Sequence, residues 1–289
     1  MLKHEFLQEI RKSVFGLDSS GWDTIDSIAN AIYLGTFAPE SIESFILSTR
    51  GEVLHLPEED SDENPFDRWQ YDSIAVIPLF GIMFKRSYWW SYGMDDIAKI
   101  IRLAYNSEKI AAVIIDADTP GGSTDSLYLL QEVLSEKIKP TFGYINGMCA
   151  SCGYVALSYT DRLYAINRMA SVGGVGVYAR MVVPNKENAP YKIVEVYPKE
   201  SKDKNIEVRE AIKGNTAPLE EELSKLALYI QQTVKGNRPA ISEDTMSGKL
   251  YYGYEAESLG MIDGIRKFTD IVMELETLVE KRKQFLSTI

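Results

Sequence analysis

The chain has 289 residues, room for one large domain or a domain with an appendage, and its 45% hydrophobic and 25% charged content is that of an ordinary globular fold. A formal charge of −11 and a pI near 4.9 argue against a nucleic-acid partner, which calls for a basic surface. The longest apolar run, Ile74 to Phe84, is interrupted by Pro78 and Gly81 and is too short for stable membrane insertion, while two cysteines make no disulfide framework, so a reducing, cytoplasmic setting is expected.

In chain order, Met1 to Gly16 reads as an amphipathic helix, without the apolar core or cleavage site of a signal sequence. Ile25, Ile28, Ala29 and Ile32 share one helix face, and Ser41 to Leu47 forms a second short helical pattern. Pro57 to Asp67 (PEEDSDENPFD) is acidic and punctuated by prolines, a solvated linker or, as the alternative, a binding tail. Residues 1–71 are therefore expected to be a helical extension plus linker, and 72–289 the main domain with C-terminal helices.

Beyond the linker, Ile74–Leu79 reads as a strand, and Ile97, Ile100, Ile101 and Ala104 stripe a helix over Asp95–Tyr105. Ala111–Asp116 is a continuous apolar run of the kind a parallel strand shows when both its faces are covered. A glycine turn follows, then a helix with Leu127, Leu130 and Leu134 on one stripe, then a strand over Pro140–Ile145. Further strands are expected at Arg162–Ile166, Val175–Tyr178 and Lys192–Tyr197, and helices over Thr216–Val234 and Thr269–Phe285. The strand–helix alternation predicts an α/β fold with a mainly parallel sheet, right-handed crossovers and flanking helices.

Two glycine-bearing turns stand where chemistry would sit. In Asp118-Thr-Pro-Gly-Gly-Ser123, Gly121 and Gly122 let the backbone approach a ligand, and their N–H groups suit an anion or oxyanion; a tight strand-to-helix turn explains them as well. The spacing fits neither nucleotide-binding glycine loop. The second turn, Asn146-Gly-Met-Cys-Ala-Ser-Cys-Gly-Tyr154, carries Cys149, Ser151 and Cys152. Ser151 at the first turn of a buried helix is either a cap or a nucleophile favoured by the helix dipole. The cysteines read as small apolar fillers; a C-x-x-C redox pair is the alternative, and zinc would need ligands that the chain lacks.

Only His4 and His55 exist, both outside the predicted α/β core, so a Ser-His-Asp triad would require His55 to fold back. A lysine whose pKa is lowered by burial is the other possible base. Lys199, Lys202 and Lys204 lie in Tyr197–Lys204 after a predicted strand, in a segment that composition alone would make a solvated loop. Trp89 and Trp90, in the aromatic stretch Phe84–Tyr92, suit a core plug, a subunit contact or a wall for a hydrophobic peptide.

Four stretches in order, IDADTPGGS (115–123), KPTFGYINGMCASCGYVALSYTDRLYA (139–165), SVGGVGVY (171–178) and GKLYYGYEAESLGMIDGI (248–265), resemble the signal peptide peptidase A family of Ser-Lys serine peptidases. They resemble particularly its phage branch of protein-C-type capsid assembly proteases. The resemblance spans about residues 72–267 and implies a Ser-Lys peptidase domain with the spiral α/β fold of crotonases and the Clp proteolytic subunit. It makes Ser151 the nucleophile, Lys202 the base with Lys199 and Lys204 as fallbacks, and Gly122 (or Gly121) plus Cys152 the backbone oxyanion donors. No metal or cofactor is implied. The implied partners are an extended peptide substrate, further copies of the chain, and capsid, portal or scaffold proteins in a host cytoplasm or procapsid.

Departures from the family pattern are confined to a few positions. The glycine after the nucleophile is Cys152, the serine that helps orient the lysine is Gly174, and the glycine before the lysine motif is Lys199, preceded by Pro198. Ser171 or Tyr178 would have to replace the missing hydroxyl. A proteolytically inactive homologue that binds scaffold proteins remains the alternative from another class, with a crotonase-type acyl-CoA enzyme behind it.

Overall fold

The computed structural model describes residues 27, 45–48, 53–55, 64–88, 92–180 and 196–288. Its spine is a run of parallel strands: β3 (Ser73–Met83), β4 (Ile110–Gly122), β5 (Thr141–Ala150), β6 (Arg162–Ala165) and β9 (Gly264–Ile265), hydrogen-bonded in that order. Two short strands, β1 (Phe45–Ser48) and β2 (Val53–His55), add antiparallel pairs at the β3 edge. On the other side β7 (Ser171–Gly173) pairs parallel with the end of β5 and antiparallel with β8 (Leu250–Tyr252). The fold is α/β with a mostly parallel, mixed sheet.

Helices follow the strands as the apolar stripes require. Helix α1 (Met94–Asn106) buries Ile97, Ile100, Ile101 and Ala104, and α2 (Thr124–Ser135) buries Leu127, Leu130 and Leu134. The short α3 (Cys152–Leu157) is buried throughout, and the chain continues through α4 (Ile206–Ile212), α5 (Ala217–Asn237), α6 (Gly253–Ser258) and α7 (Phe268–Leu286). Side-chain alternation along the strands divides the core in two. Val113, Ile115 and Ala117 of β4 face α1, α2, α3 and α5; Ala112 and Ile114 face Ile271, Leu275 and Val279 of α7. Strands clothed on both faces explain the unbroken apolar runs of the sequence.

Three expectations are corrected. Phe45–Ser48 is a strand, not part of a helix over Ser41–Leu47: Leu47 pairs with Val76, and a short apolar run holds no period that separates the two states. The Asp118–Ser123 stretch is not a turn after a short strand. The strand runs on to Gly122, pairing Ile82 with Gly121 and Met83 with Gly122 after a register shift. Gly121 there has φ +95°, which glycine adopts without strain. The strand expected over Val175–Tyr178 lies earlier, at Ser171–Gly173, because Gly173 (φ +116°) and Gly174 (φ +62°) turn the chain out of the sheet.

Phe66 and Trp69, on the linker side of the boundary expected at residue 71, are buried in the main core and meet edge to face at 5.0 Å. Most of the expected N-terminal helices, residues 192–195 of the Lys192–Tyr197 strand, and Trp89 and Trp90 lie outside the described residues.

Candidate active site

The site forms at the carboxyl ends of β4 and β5, where parallel sheets place their ligands. The two strands pair regularly from Val113↔Thr141 to Ala117↔Ile145, then once more, after a register shift, at Thr119↔Cys149. Beyond that point they part. β5 turns its last residues to β7, with Ala150 opposite Gly173, while β4 stays on β3. The gap between them faces Ser151 on one side and Gly121-Gly122 on the other.

Ser151 joins β5 to α3 with φ 52° and ψ −124°, a conformation that costs a non-glycine residue about 1–3 kcal/mol and needs surrounding contacts to hold it. Those contacts are visible. Its N–H donates to the Gly173 carbonyl at 2.7 Å, and its own carbonyl accepts the Val155 N–H at 3.0 Å. The Oγ is buried and has no hydrogen-bond partner among the described residues. It makes no cap bond to α3, so the capping explanation of this serine falls away.

The glycine strand is fitted just as closely. A Cβ on Gly122 would lie 2.0 Å from the Met83 carbonyl oxygen, so nothing larger fits without breaking the β3–β4 register. Ser123 N–H donates to that same Met83 oxygen at 3.1 Å. Since successive backbone groups of a strand point to opposite neighbours, the Gly122 N–H faces away from β3, toward the gap. The Gly122 carbonyl on that edge accepts the Cys152 thiol at 3.3 Å. The Gly121 N–H is already committed to Thr119 Oγ1 at 3.0 Å, so of the two expected oxyanion donors it is the Gly122 N–H that points toward the gap.

Cys149 and Cys152 are free and buried, and burial pushes the Cys149 thiol far above its ordinary value. That is the opposite of what a reactive thiolate needs, which argues against a redox pair and for Cys149 as a filler, whereas the Cys152 thiol makes a hydrogen bond of its own to Gly122 O.

The lysine segment is on the surface. Lys199 is in a short 3-10 turn, Lys202 caps it, Lys204 follows, and all three are exposed. The Lys202 carbonyl accepts from Arg209, and among the described residues no hydrogen bond or ion pair joins any of the three side chains to Ser151. Ser171 is half-buried in β7 opposite Met148, and Tyr178 is exposed. Gly174 abuts Ser151: a Cβ there would meet Ser151 N at 3.4 Å.

Three acceptor side chains escaped the sequence reading. Thr119, wholly buried, donates to Gly81 O at 2.6 Å while holding Gly121. Asp118 accepts the Met148 N–H at 2.9 Å, bracing the turn before Ser151, and a Cβ on Gly147 would stand 2.7 Å from its Oδ1. Asp116, whose pKa burial pushes up to about 6 against a hydrogen bond from Asn146, lies two residues back on the same face. All three stand within the quoted IDADTPGGS, but nothing in a linear sequence marks a hydroxyl or carboxylate as a brace.

The family model for peptidase family S49 matches residues 134–282, more than half of the chain and a span that includes Ser151 and Lys202. The chain belongs to peptidase family S49. Protease 4 of Haemophilus influenzae is 26% identical to this S49 member over 223 residues, 73% of this chain and 36% of the relative. The chain thus spans about a third of the length of that curated relative. Two solved mutants of the 1510-N membrane-bound stomatin-specific protease also align with the S49 chain. The first covers 71% of this chain and 84% of its own at 14% identity and a TM-score of 0.45. The second, in complex with a substrate peptide, covers 72% and 80% at 16% identity and a TM-score of 0.43. Among the described residues, no helix is long and apolar enough to cross a membrane, and no cluster of three or more His, Cys, Asp or Glu is placed to hold a metal.

Proposed function

We propose that this S49 chain is a serine endopeptidase that cleaves extended peptides through Ser151 and an acyl-enzyme. The observation that carries the proposal is Ser151: a strained, well-braced residue at the end of β5 whose buried hydroxyl has no hydrogen-bond partner among the described residues. A hydroxyl held at that cost, of about 1–3 kcal/mol for the backbone alone, is a pre-organised nucleophile rather than a structural element.

In the proposed reaction, neutral Lys202 takes the Ser151 proton as Oγ attacks the peptide carbonyl. The oxyanion is received by the N–H groups of Gly122 and Cys152. The C–N bond breaks as the lysine passes its proton to the leaving amine, and a water then releases the acyl group by the same base. Because Lys202 is exposed and makes no hydrogen bond to Ser151 Oγ among the described residues, the dyad requires its segment to close over the site or to come from a neighbouring copy. The order of the four motifs supports the finer proposal: the spiral arrangement shared with crotonases and the Clp subunit, an oligomer, and capsid or scaffold processing in a host cytoplasm or procapsid. The name of the Haemophilus influenzae relative supports proteolysis but says nothing of capsids.

A second proposal, an inactive homologue that binds scaffold proteins, is favoured by the exposure of Lys202, by the lack of a hydrogen-bond partner for Ser151 Oγ among the described residues, and by Gly174 in place of the lysine-orienting serine. Casein hydrolysis and fluorophosphonate labelling of wild type, Ser151→Ala and Lys202→Ala separate the two. Peptidase action predicts that both signals vanish in Ser151→Ala and that hydrolysis falls at least ~10²-fold in Lys202→Ala. Hydrolysis that survives Ser151→Ala ends the serine peptidase proposal. Loss on Lys204→Ala or Lys199→Ala alone moves the base to that lysine. A wild type inert in both assays supports the inactive homologue.

A further inference from the structure

We propose that Thr119 and Cys152 are positioning residues for the oxyanion donor, fixing the peptide that carries the Gly122 N–H by holding the peptides on either side of it. The inference rests on the serine peptidase proposal and deepens it.

The Gly122 N–H belongs to the peptide between Gly121 and Gly122. Gly121 sits at φ +95°, and two adjoining glycines have no side chains to restrict their rotation. Such a peptide would flip readily, and the donor with it, unless its neighbours were fixed. On the N-terminal side, the Gly121 N–H is received by Thr119 Oγ1 at 3.0 Å, while the same hydroxyl donates to Gly81 O at 2.6 Å. Both hydroxyl functions are thereby used, and Thr119 is fully buried.

On the C-terminal side, the peptide joining Gly122 to Ser123 is held at both ends. Its N–H goes to Met83 O at 3.1 Å, and its carbonyl accepts the Cys152 thiol at 3.3 Å. A second, longer contact runs from Cys152 Sγ to Ser123 O at 3.8 Å. Cys152 directly follows Ser151, so its thiol ties the nucleophile's turn to the donor strand across the gap where β4 and β5 have parted. Packing adds a third tie, since a Cβ on Gly153 would come within 2.5 Å of Thr119 Cγ2. The position that is glycine in the family pattern thus carries a side chain with a contact of its own, absent from that pattern.

Thr119→Val keeps the shape and removes the hydroxyl; Thr119→Ser restores it; Cys152→Ala removes the thiol. Each is compared with wild type by steady-state casein-peptide hydrolysis, with active molecules titrated by fluorophosphonate and the melting temperature recorded. We expect kcat per titrated site to fall about 10- to 100-fold in Thr119→Val, short of the full loss of an oxyanion donor, with KM within about twofold. Thr119→Ser should recover to within about threefold of wild type, and Cys152→Ala should lose about three- to tenfold in kcat. A purely structural role would lower the melting temperature and the number of titrated sites while leaving kcat per site unchanged, and that result overturns the proposal. Should Thr119→Val not fold, an unchanged kcat per site in Cys152→Ala overturns it alone. Activity retained in Ser151→Ala, or a wild type that neither hydrolyses nor labels, removes the underlying peptidase proposal and this one with it. Wild-type activity lost in Ser151→Ala but unchanged in both positioning variants removes this one only.

Discussion

At the scale of single residues, the chain spends stability in one small region. Ser151 combines a positive φ with a buried hydroxyl that has no partner among the described residues, and each feature carries a penalty of about 1–3 kcal/mol. Asp116 adds to this. Burial, aided by the charge of Asp118 and opposed by the Asn146 hydrogen bond, lifts its pKa from 3.8 to about 6. The unfolded chain releases that proton near pH 4 while the folded chain keeps it to about pH 6, so between those values the folded state binds more protons. Stability from this group is therefore greatest in acid, falls as pH rises from about 4 to 6 by up to about 1.4 kcal/mol per unit, and is level above. Asp116→Asn should flatten that slope and raise the urea midpoint at pH 7, and equal slopes in wild type and variant would disprove the assignment. Lys139 is the mirror case just before the amino end of β5, held by the Ala104 and Ser107 carbonyls, with burial lowering its pKa to about 8.

At the scale of elements, the decisive event is the parting of β4 and β5. The two strands share a regular register through Ala117↔Ile145, and beyond Thr119↔Cys149 each finds a different neighbour. Gly122 is the point of closest approach on the β3 side, and Gly81 offers an informative contrast. Gly81 has φ +72° with open space around its Cβ position, whereas Gly122 has backbone oxygen at 2.0 Å. Gly81→Ala should cost only the left-handed backbone penalty, about 1–2 kcal/mol, and leave peptidase activity within about twofold. Gly122→Ala should cost more, about 3 kcal/mol, and abolish hydrolysis, because the β3–β4 register must shift under the donor. Thermal melts with hydrolysis assays check both, and an active Gly122→Ala enzyme would count against this geometry.

At the scale of the whole molecule, the sheet is held between two layers of unequal size. Helices α1, α2, α3 and α5 cover one face, and α7 covers much of the other with Ile271, Leu275 and Val279. Leu275 is wholly buried in that thinner layer. Leu275→Ala should destabilise the fold by about 2–5 kcal/mol in denaturant titration, with kcat per titrated site unaltered because α7 lies across the sheet from α3. A fall in kcat without a fall in stability would contradict that separation.

Much of this architecture was legible from periodicity. The stripes at Ile97–Ala104 and Leu127–Leu134, and the unbroken run Ala111–Asp116, each report a face that must be buried, and burial acts on residue type at fixed spacing. Ser151 and the glycine pair were legible too, through motif order. Other features were not. Whether Phe45–Ser48 joined a helix or a strand, how far β4 ran past Asp118, and where the chain left the sheet after Gly173 depended on strand partners distant in sequence. So did the roles of Thr119 and Asp118, since a hydroxyl or carboxylate becomes a brace only when folding brings an amide to it. The amino-acid sequence by itself determined the layers and the family and singled out Ser151 as the candidate nucleophile, because hydrophobic burial and local glycine geometry are written in nearby residues. Only the tertiary structure decided the shape of the gap beside Ser151 and the setting of Gly121 and Gly122, because those depend on hydrogen bonds between strands distant in sequence.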